Sequence, residues 1–207
     1  MSSETAKRAG RPKDRQKRQA ILEAARELFL AGDFDRVTMD EIANAAGVSK
    51  LTVYSHFGEK DVLFAEAVRK FAEEHLPPAM TDVDPSLPIA EALYQVADSY
   101  YRSLMDSVSV GGYRMAISHR VQQTNLPAVI WREGPARIEH SITQWLESRA
   151  DLPLDNPQEA AEMFLAMIPG RTFHARSFGQ PVDMDAATVE RRLRNAVRRF
   201  LAAYAVG

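Results

Sequence analysis

Apolar residues recur at helical spacing along most of the chain. In the first such segment, Ile21, Ala25, Leu28 and Phe29 fall on one face of a helix. Comparable patterns occur in eight later segments, and no alternating pattern long enough for a strand appears. The sequence therefore predicts an all-α protein of about nine helices, with bounds near 12–31, 38–46, 49–57, 60–76, 88–106, 109–121, 127–149, 156–177 and 185–205.

Proline and glycine interrupt this pattern at three places. Residues 77–88 hold four prolines and form the clearest linker in the chain. Gly134-Pro135 should kink the seventh predicted helix, and Pro169-Gly170 should interrupt the eighth. The predicted division is therefore into two domains joined by the fourth helix, namely residues 1–58 and residues 77–207.

Two short helical patterns follow one another closely after the first helix. Thr38 can cap the first of them, and Glu41, three residues later, completes a capping box. Gly47 then ends the pattern where a tight turn requires a positive φ, which glycine adopts without strain. Ser49 can cap the second helix. The segment therefore predicts a helix, a tight turn and a second helix.

The second of these short helices has two different faces. Val53 and Phe57 would turn inward, together with Val48 just before the helix. A helix-turn-helix has this organisation, but periodicity alone fits a plain helical hairpin with a solvated face equally well. The predicted outer face is polar and cationic and consists of Lys50, Leu51, Thr52, Tyr54, Ser55 and His56.

The order of residue types in this stretch adds information that periodicity lacks. It reads Thr-x-x-x-Ile-Ala-x-x-Ala-Gly-Val-Ser, then Tyr-x-His-Phe-x-x-Lys-x-x-Leu. At this spacing, and without a gap, it resembles the DNA-binding domain of the TetR/AcrR family of bacterial repressors. The resemblance is specific over the first quarter to third of the chain, and beyond that it depends on helix count and length. The matching residues are Thr38, Ile42, Ala43, Ala46, Gly47, Val48, Ser49, Tyr54, His56, Phe57, Lys60 and Leu63.

A helix-turn-helix places its second helix in the major groove, with the N-terminal end towards the base edges. Lys50 and Thr52 are then candidates for base contacts, since Lys can donate to guanine, and Leu51 can meet a thymine methyl. The resemblance implies contacts with the DNA backbone for Tyr54 and His56. Further predicted DNA-binding residues are Ser49, Lys60 and Thr38, the last of which could instead or also be a plain N-cap. Lys60 matches a family position at the start of the fourth helix, where the helix dipole also favours an anion.

The net charge of −2 gives no sign of a nucleic-acid partner, but the distribution of charge does. Residues 1–20 carry seven basic and two acidic side chains, so the rest of the chain is acidic. Within this basic end, Arg11 follows Gly10 and precedes Pro12, as in arms that enter a narrow minor groove. A disordered tail that makes loose phosphate contacts is the alternative.

Composition excludes several other classes of protein. The 207 residues include no cysteine, which rules out disulfides and thiolate chemistry. No apolar run approaches the length of a membrane span or a signal segment, so the sequence predicts a cytoplasmic protein. The phosphate-loop, zinc-protease and serine-hydrolase motifs are missing and the five histidines are scattered, so we expect no enzyme, cofactor or metal. A helical ligand-binding protein without specific DNA binding remains an alternative.

The family resemblance also implies an effector pocket and a homodimer on a palindromic operator. The effector would be a small hydrophobic or aromatic molecule, and a ligand-responsive repressor is the implied function. Candidate pocket residues, each of which could instead be plain core, are Tyr100, Tyr101, Leu104, Tyr113, Met115, His119, Trp131, Trp145, Phe164 and Phe173. The candidate dimer interface, with internal core as the alternative, comprises Met163, Met167, Val189, Leu193, Val197, Phe200 and Tyr204.

Overall fold

The computed structural model describes residues 10–31, 34–75, 83–117 and 125–204. Within these residues the protein is all α-helical, without a strand, which confirms the predicted fold class. None of the described helices is long and apolar enough to cross a membrane. The helices are α1 Gly10–Ala31, α2 Met39–Ala45, α3 Lys50–Phe57, α4 Lys60–His75, α5 Ile89–Met105, α6 Ser107–Ala116, α7 Leu126–Glu133, α8 Pro135–Glu147, α9 Pro157–Met167, α10 Gly170–Ser177 and α11 Ala186–Tyr204.

Two of the nine predicted helices are each divided into two, which gives eleven in the described part of the chain. Between α7 and α8, a Cβ at Gly134 would lie 3.0 Å from the carbonyl oxygen of Ile130. Pro135 then has no backbone N–H with which to continue the helical ladder. Between α9 and α10, Gly170 has φ +52°, a conformation that ends a regular helix. The expected kink and interruption are therefore complete breaks.

The first four helices pack around one hydrophobic core. The rings of Phe29 and Phe34 stack with centroids 5.3 Å apart, and Phe64 meets both edge-on at 5.2 Å. Leu126 and Val129 of α7 belong to the same core. This core therefore fixes the N-terminal helices to one helix of the body.

The remaining helices enclose a second core, formed chiefly by α5, α8, α9 and α11. Phe164 and Phe200 are fully buried there, with ring centroids 5.0 Å apart. The buried guanidinium of Arg149 donates to the Leu87 carbonyl oxygen and to the Asp151 carboxylate, both at 2.8 Å. Arg149 thereby fastens the described end of the linker to the loop after α8.

Candidate functional site

Residues 38–60, with the two short helices α2 and α3, are called the recognition segment below, and its first helix begins with the predicted capping box. The Glu41 backbone N–H donates to the Thr38 hydroxyl at 3.2 Å, and the Thr38 N–H donates to the Glu41 carboxylate at 2.8 Å. Because the Thr38 N–H and then its hydroxyl donate to the ionised carboxylate, they lower the pKa of Glu41. The Thr38 hydroxyl also donates to the same carboxylate at 2.9 Å. Thr38 thus has a defined capping role at an exposed position.

A glycine turn then sets the angle between α2 and α3. Gly47 has φ +64°, and the Val48 N–H donates to the Ala43 carbonyl oxygen at 3.0 Å. Of the two hydrogen bonds of a Schellman motif, this is the one that spans six residues. Ser49 caps α3 by accepting from the Thr52 N–H at 3.2 Å. The hydroxyls of Ser49 and Thr52 lie 2.8 Å apart. These short-range contacts orient the second helix.

Helix α3 has one face buried in the first core and the opposite face exposed to solvent. Val53 and Phe57 are buried in the first core, and the guanidinium of Arg18 on α1 lies 5.1 Å from the centre of the Phe57 ring. On the other face, Leu51 is 78% exposed and Tyr54 44% exposed. An apolar side chain as exposed as Leu51 is available for contact with a thymine methyl.

Lys50 lies at the first turn of α3 and is paired with an acidic residue. Its ammonium group lies 2.7 Å from the carboxylate of Asp40 on α2, and this hydrogen bond raises the pKa of Lys50. Both side chains are more than half exposed. Any other anion that Lys50 binds must therefore displace or share this carboxylate.

Two predicted DNA-binding residues have different surroundings from those expected. His56 was placed on the outer face, but its side chain is only 12% exposed and its Nε2 lies 3.2 Å from the Asp14 carboxylate of α1. The Lys60 ammonium donates to the carbonyl oxygens of Phe34 at 2.9 Å and Val37 at 3.1 Å. Since tertiary contacts occupy both groups, a direct phosphate contact is less favoured for them than for Tyr54.

Arg11 does not lie in an extended arm, because α1 already begins at Gly10. The side chain of Arg11 is outside the described residues. The same helix contributes Arg18, which is paired with Glu66 of α4. Helix α1 therefore braces both α3 and α4, a role that its amphipathic pattern alone did not indicate.

A large cavity lies between the first core and the body. Its volume is about 1090 Å³, the upper end of the size range of small-molecule sites. Its walls come from eight helices, α1 and α4–α10. The lining is mostly apolar and includes seven aromatic residues, namely Phe29, Phe64, Phe71, Tyr100, Tyr113, Trp131 and Phe173.

The cavity lining can be compared with the predicted pocket residues. Six of them line the walls, and His119 lies outside the described residues. Tyr101 and Phe164 were expected in the lining but are buried in the second core, and Trp145 packs against that core. Sequence reasoning missed the lining residues of α1 and α4, because nothing in their pattern shows that they face both a core and a cavity. The six residues in the lining are Tyr100, Leu104, Tyr113, Met115, Trp131 and Phe173.

A few polar groups interrupt this apolar lining. Burial raises the pKa of the Tyr100 phenol to about 12, so the hydroxyl stays protonated and able to donate at physiological pH. Arg26 on α1, Glu139 on α8 and Glu162 on α9 also line the cavity. An apolar site with few polar groups is typical of small-molecule binding.

The predicted dimer interface includes residues that the protomer itself buries. Leu193, Val197 and Phe200 of α11 were expected to face a second chain, but they belong to the second core. Met163 on α9 is 49% exposed. The helical period of α11 could not reveal which partner its apolar face meets, since a protomer core and an interface look alike in sequence.

No group of three or more His, Cys, Asp or Glu side chains that could hold a metal ion occurs among the described residues. His56 has one carboxylate neighbour, Asp14, and His174 contacts the carbonyl oxygen of Gly170 at 3.2 Å. The features with a clear chemical role are therefore the exposed face of α3 and the aromatic cavity.

Two regulators of Bacillus subtilis resemble parts of the chain. YhgD of Bacillus subtilis, described as an uncharacterized HTH-type transcriptional regulator, is 34% identical over 135 residues, which are 65% of this chain and 68% of YhgD. YdeS of the same organism, described in the same words, is 41% identical over 68 residues, and this match spans only 34% of YdeS.

Solved structures share the fold. A TetR-family transcriptional regulator from Mesorhizobium loti has a TM-score of 0.80 and 27% identity, covering 93% of this chain and 98% of that one. A protein described as the flavonoid-responsive regulator FrrA has a TM-score of 0.73 and 29% identity, covering 94% of this chain and 97% of FrrA.

Two family models match separate parts of the chain. The model of bacterial regulatory proteins of the tetR family matches residues 21–67. The model of the C-terminal domain of AefR-like transcriptional repressors matches residues 91–206, more than half of the sequence. Together with the helix-turn-helix geometry, these matches identify the chain as a member of the TetR family of transcriptional regulators, whose members are typically repressors and not enzymes.

Proposed function

We propose that this chain is a ligand-responsive repressor that binds a palindromic operator as a homodimer and is released by a small-molecule effector. One observation carries the proposal: helices α1 and α4 contribute both to the core beneath the recognition helix α3 and to the wall of the cavity. A molecule in the cavity would therefore touch the helices that hold α3.

The exposed face of α3 supports the DNA-binding half of the proposal. Leu51 and Tyr54 are exposed, and Lys50 needs only to exchange one surface carboxylate for DNA. A single domain reaches few base pairs, so specific binding calls for two domains about 34–36 Å apart, one turn of DNA. We therefore propose a dimer, with residues 1–58 as the DNA-binding domain and 77–207 as the ligand-binding and dimerisation domain.

The outer faces of α9 and α11 are the proposed dimer surface. Met163 and Met167 are partly exposed on α9, and Val189 and Tyr204 are half-buried at the two ends of α11. A second protomer would bury more of these four side chains. Leu193, Val197 and Phe200 would support the interface from within the protomer.

An aromatic effector fits the lining of the cavity. Seven aromatic rings surround the space, and planar molecules stack favourably on such rings. The related regulator FrrA is described as flavonoid-responsive, which supports an aromatic ligand class here. Effector and operator would each weaken the binding of the other by the same coupling free energy, typically about 1–3 kcal/mol.

The test is binding of the purified protein to DNA from upstream of its own gene, measured by fluorescence anisotropy over a salt series. We expect selective binding whose log affinity falls linearly with log salt, by about 0.9 for each phosphate neutralised. The Lys50→Ala variant should lose selectivity between operator and unrelated DNA. Arg102→Ala, on the exposed side of α5, is the matched control and should bind as the wild type does.

Equal and weak affinity for every sequence would contradict specific operator binding on that fragment. A folded dimer that binds no DNA would favour the alternative, a small-molecule-binding helical protein without sequence-specific DNA binding. Sedimentation of the protein alone and with an operator duplex tests the dimer separately. A monomer on DNA would contradict the proposal that two DNA-binding domains, one from each protomer, bind the operator.

A further inference from the structure

The cavity wall contains a positive charge without a counterion among the described residues. Arg26 of α1 lines the cavity and is half-buried. Its guanidinium forms no ion pair or hydrogen bond with any described residue. In contrast, Arg18 on the same helix pairs with Glu66, and Arg69 on α4 lies 4.0 Å from Glu133. Arg26 is therefore unusual among the arginines near the first core.

The immediate surroundings of Arg26 are apolar. Phe29 and Leu30 follow it at the helical intervals that place them on the same face of α1. Helix α4, which packs against α1, contributes Phe64 and Phe71 to the lining. A guanidinium has five N–H donors and always carries its charge. Partial burial beside such groups is unfavourable unless an acceptor is supplied, and an anionic group on a ligand would supply it.

The acidic residues of the cavity lie on other helices. Glu139 is on α8 and Glu162 on α9, and these two helices pack on each other. Glu162 is exposed and accepts from the Gln158 amide at 3.5 Å. Because solvent can hydrate an exposed carboxylate, Glu162 needs a charged group on a ligand less than the half-buried guanidinium of Arg26 does. The lining thus has a cationic side chain on α1 and acidic side chains on α8 and α9, of which Glu139 is half-buried as Arg26 is.

We propose that the effector carries an acidic group, such as a carboxylate, on an aromatic frame, and that Arg26 binds this group. This inference rests on the proposed function, in which the cavity is the effector site. The frame would pack among the aromatic rings, and the Tyr100 hydroxyl provides one neutral donor. A guanidinium binds a planar oxyanion with two parallel hydrogen bonds, which selects for this ligand class.

The position of Arg26 also links the ligand to the DNA-binding helices. Further towards its N-terminus, α1 contacts the recognition helix through Asp14 with His56 and through Arg18 with the Phe57 ring. An acid bound to Arg26 would therefore be attached to the helix that braces α3. Neutral ligands of the same shape would occupy the cavity without this attachment.

A pair of fluorescent probes tests the proposal directly. Anilinonaphthalene sulfonate is an aromatic anion, and phenylnaphthylamine is its neutral analogue without the sulfonate. Both increase in fluorescence in an apolar site, so their dissociation constants are measured without DNA. We expect Arg26→Met to weaken anion binding by about tenfold or more, the loss of a charge-assisted hydrogen bond, and to change binding of the neutral probe less than about twofold.

Two further variants make the result specific. Arg26→Lys keeps the positive charge and should recover part of the anion affinity. Arg102→Met makes the same chemical change at an exposed arginine that pairs with Asp98 outside the cavity lining, and it should leave both probes unaffected. Thermal unfolding of each variant shows whether the fold is retained.

Each remaining outcome has a clear meaning. Equal weakening of both probes by Arg26→Met would show a packing role and overturn the anionic class, while binding in the cavity would still stand. Displacement of the neutral probe by a naphthylmethylammonium cation, with loss of that displacement in Glu139→Gln, would overturn the anionic class and show that Glu139 selects a cationic ligand instead. If neither probe bound the wild-type protein, the proposed effector function itself would be contradicted, whereas binding of the neutral probe alone would contradict only the anionic class.

Discussion

The recognition segment and the cavity are built from contacts of very different range. The capping box, the glycine turn and the Ser49 cap join residues three to five positions apart, and the Lys50–Asp40 pair spans ten. The cavity is lined by eight helices, with lining residues distributed along the sequence from Arg26 to Phe173. An exposed surface can therefore be specified by local rules, whereas a cavity is the space that distant helices leave when they pack.

Because of this difference, some substitutions should lower the stability of the protein and others should change only its binding. Within the recognition helix both kinds occur within a few residues of each other. In the body, the breaks between helices determine where the cavity walls lie. Four substitutions test the comparison, and they follow from the largest expected effect to the smallest.

The largest effect is expected at the buried face of α3. Phe57→Ala removes a buried ring that packs beneath Arg18 and should lower the free energy of unfolding by about 3–5 kcal/mol. Leu51→Ala, on the exposed face of the same helix, should change it by less than about 0.5 kcal/mol and weaken operator binding. Urea denaturation and DNA anisotropy give the two quantities. Similar stability losses for both variants would contradict the two-faced description of α3.

The break between α9 and α10 is the next most sensitive position. Gly170 has φ +52°, and a Cβ there would lie 2.6 Å from the guanidinium of Arg192, which donates to the carbonyl oxygens of Ile168 and Pro169. Gly170→Ala should therefore destabilise the protein by about 1–3 kcal/mol. Gly112→Ala in α6 is the control, since no atom lies within 4 Å of its Cβ position, and it should be neutral or slightly stabilising.

The Lys60→Met variant tests whether Lys60, a residue of the matched motif, binds DNA or stabilises the fold. Because its ammonium binds carbonyl oxygens of Phe34 and Val37, Lys60→Met should lower the free energy of unfolding by about 1–3 kcal/mol. Lys17→Met, at an exposed position of α1, should not destabilise the protein. Unchanged stability in Lys60→Met, combined with weaker binding to all DNA sequences, would instead support a phosphate contact.

The smallest effect is expected at the surface ion pair of the recognition segment. Asp40→Asn releases Lys50 from its carboxylate partner and should tighten DNA binding by about 0.2–1 kcal/mol at low salt. The slope of log affinity against log salt should steepen by up to about 0.9. Asp61→Asn removes the same charge from an exposed position of α4, so it controls for the change in net charge. Identical effects of the two variants would exclude a specific release of Lys50.

Much of the recognition segment could be predicted from contacts between residues that are close in sequence. The helix-turn-helix was specified by Thr38 with Glu41, by Gly47 and by Ser49, because each forms its hydrogen bond or turn within a few residues. The all-α fold likewise follows from a helical period that is present throughout the chain. The predicted outward position of His56 was wrong, because its partner Asp14 lies far away in sequence on α1, whereas its contact with DNA stays a prediction.

The cavity and the helices around it could not be predicted from the spacing of apolar residues. Tyr100 and Phe164 are both aromatic residues at helical spacing, yet one lines the cavity and the other is fully buried in a core. Leu193 has the pattern expected of an interface but packs inside the protomer. Burial selects for apolar character whatever the neighbouring surface is, so periodicity alone cannot distinguish a core, a cavity wall and a subunit contact.

The sequence by itself determined the helical fold, the helix-turn-helix and the family, because these depend on residue order and on contacts over a few positions. Only the tertiary structure decided which helices line the cavity, that the Lys60 ammonium binds the carbonyl oxygens of Phe34 and Val37, and that Arg26 has no counterion among the described residues. The physical reason is the range of the contacts: hydrogen bonds in caps and turns are local, whereas the position of a charge in a wall depends on how distant helices pack.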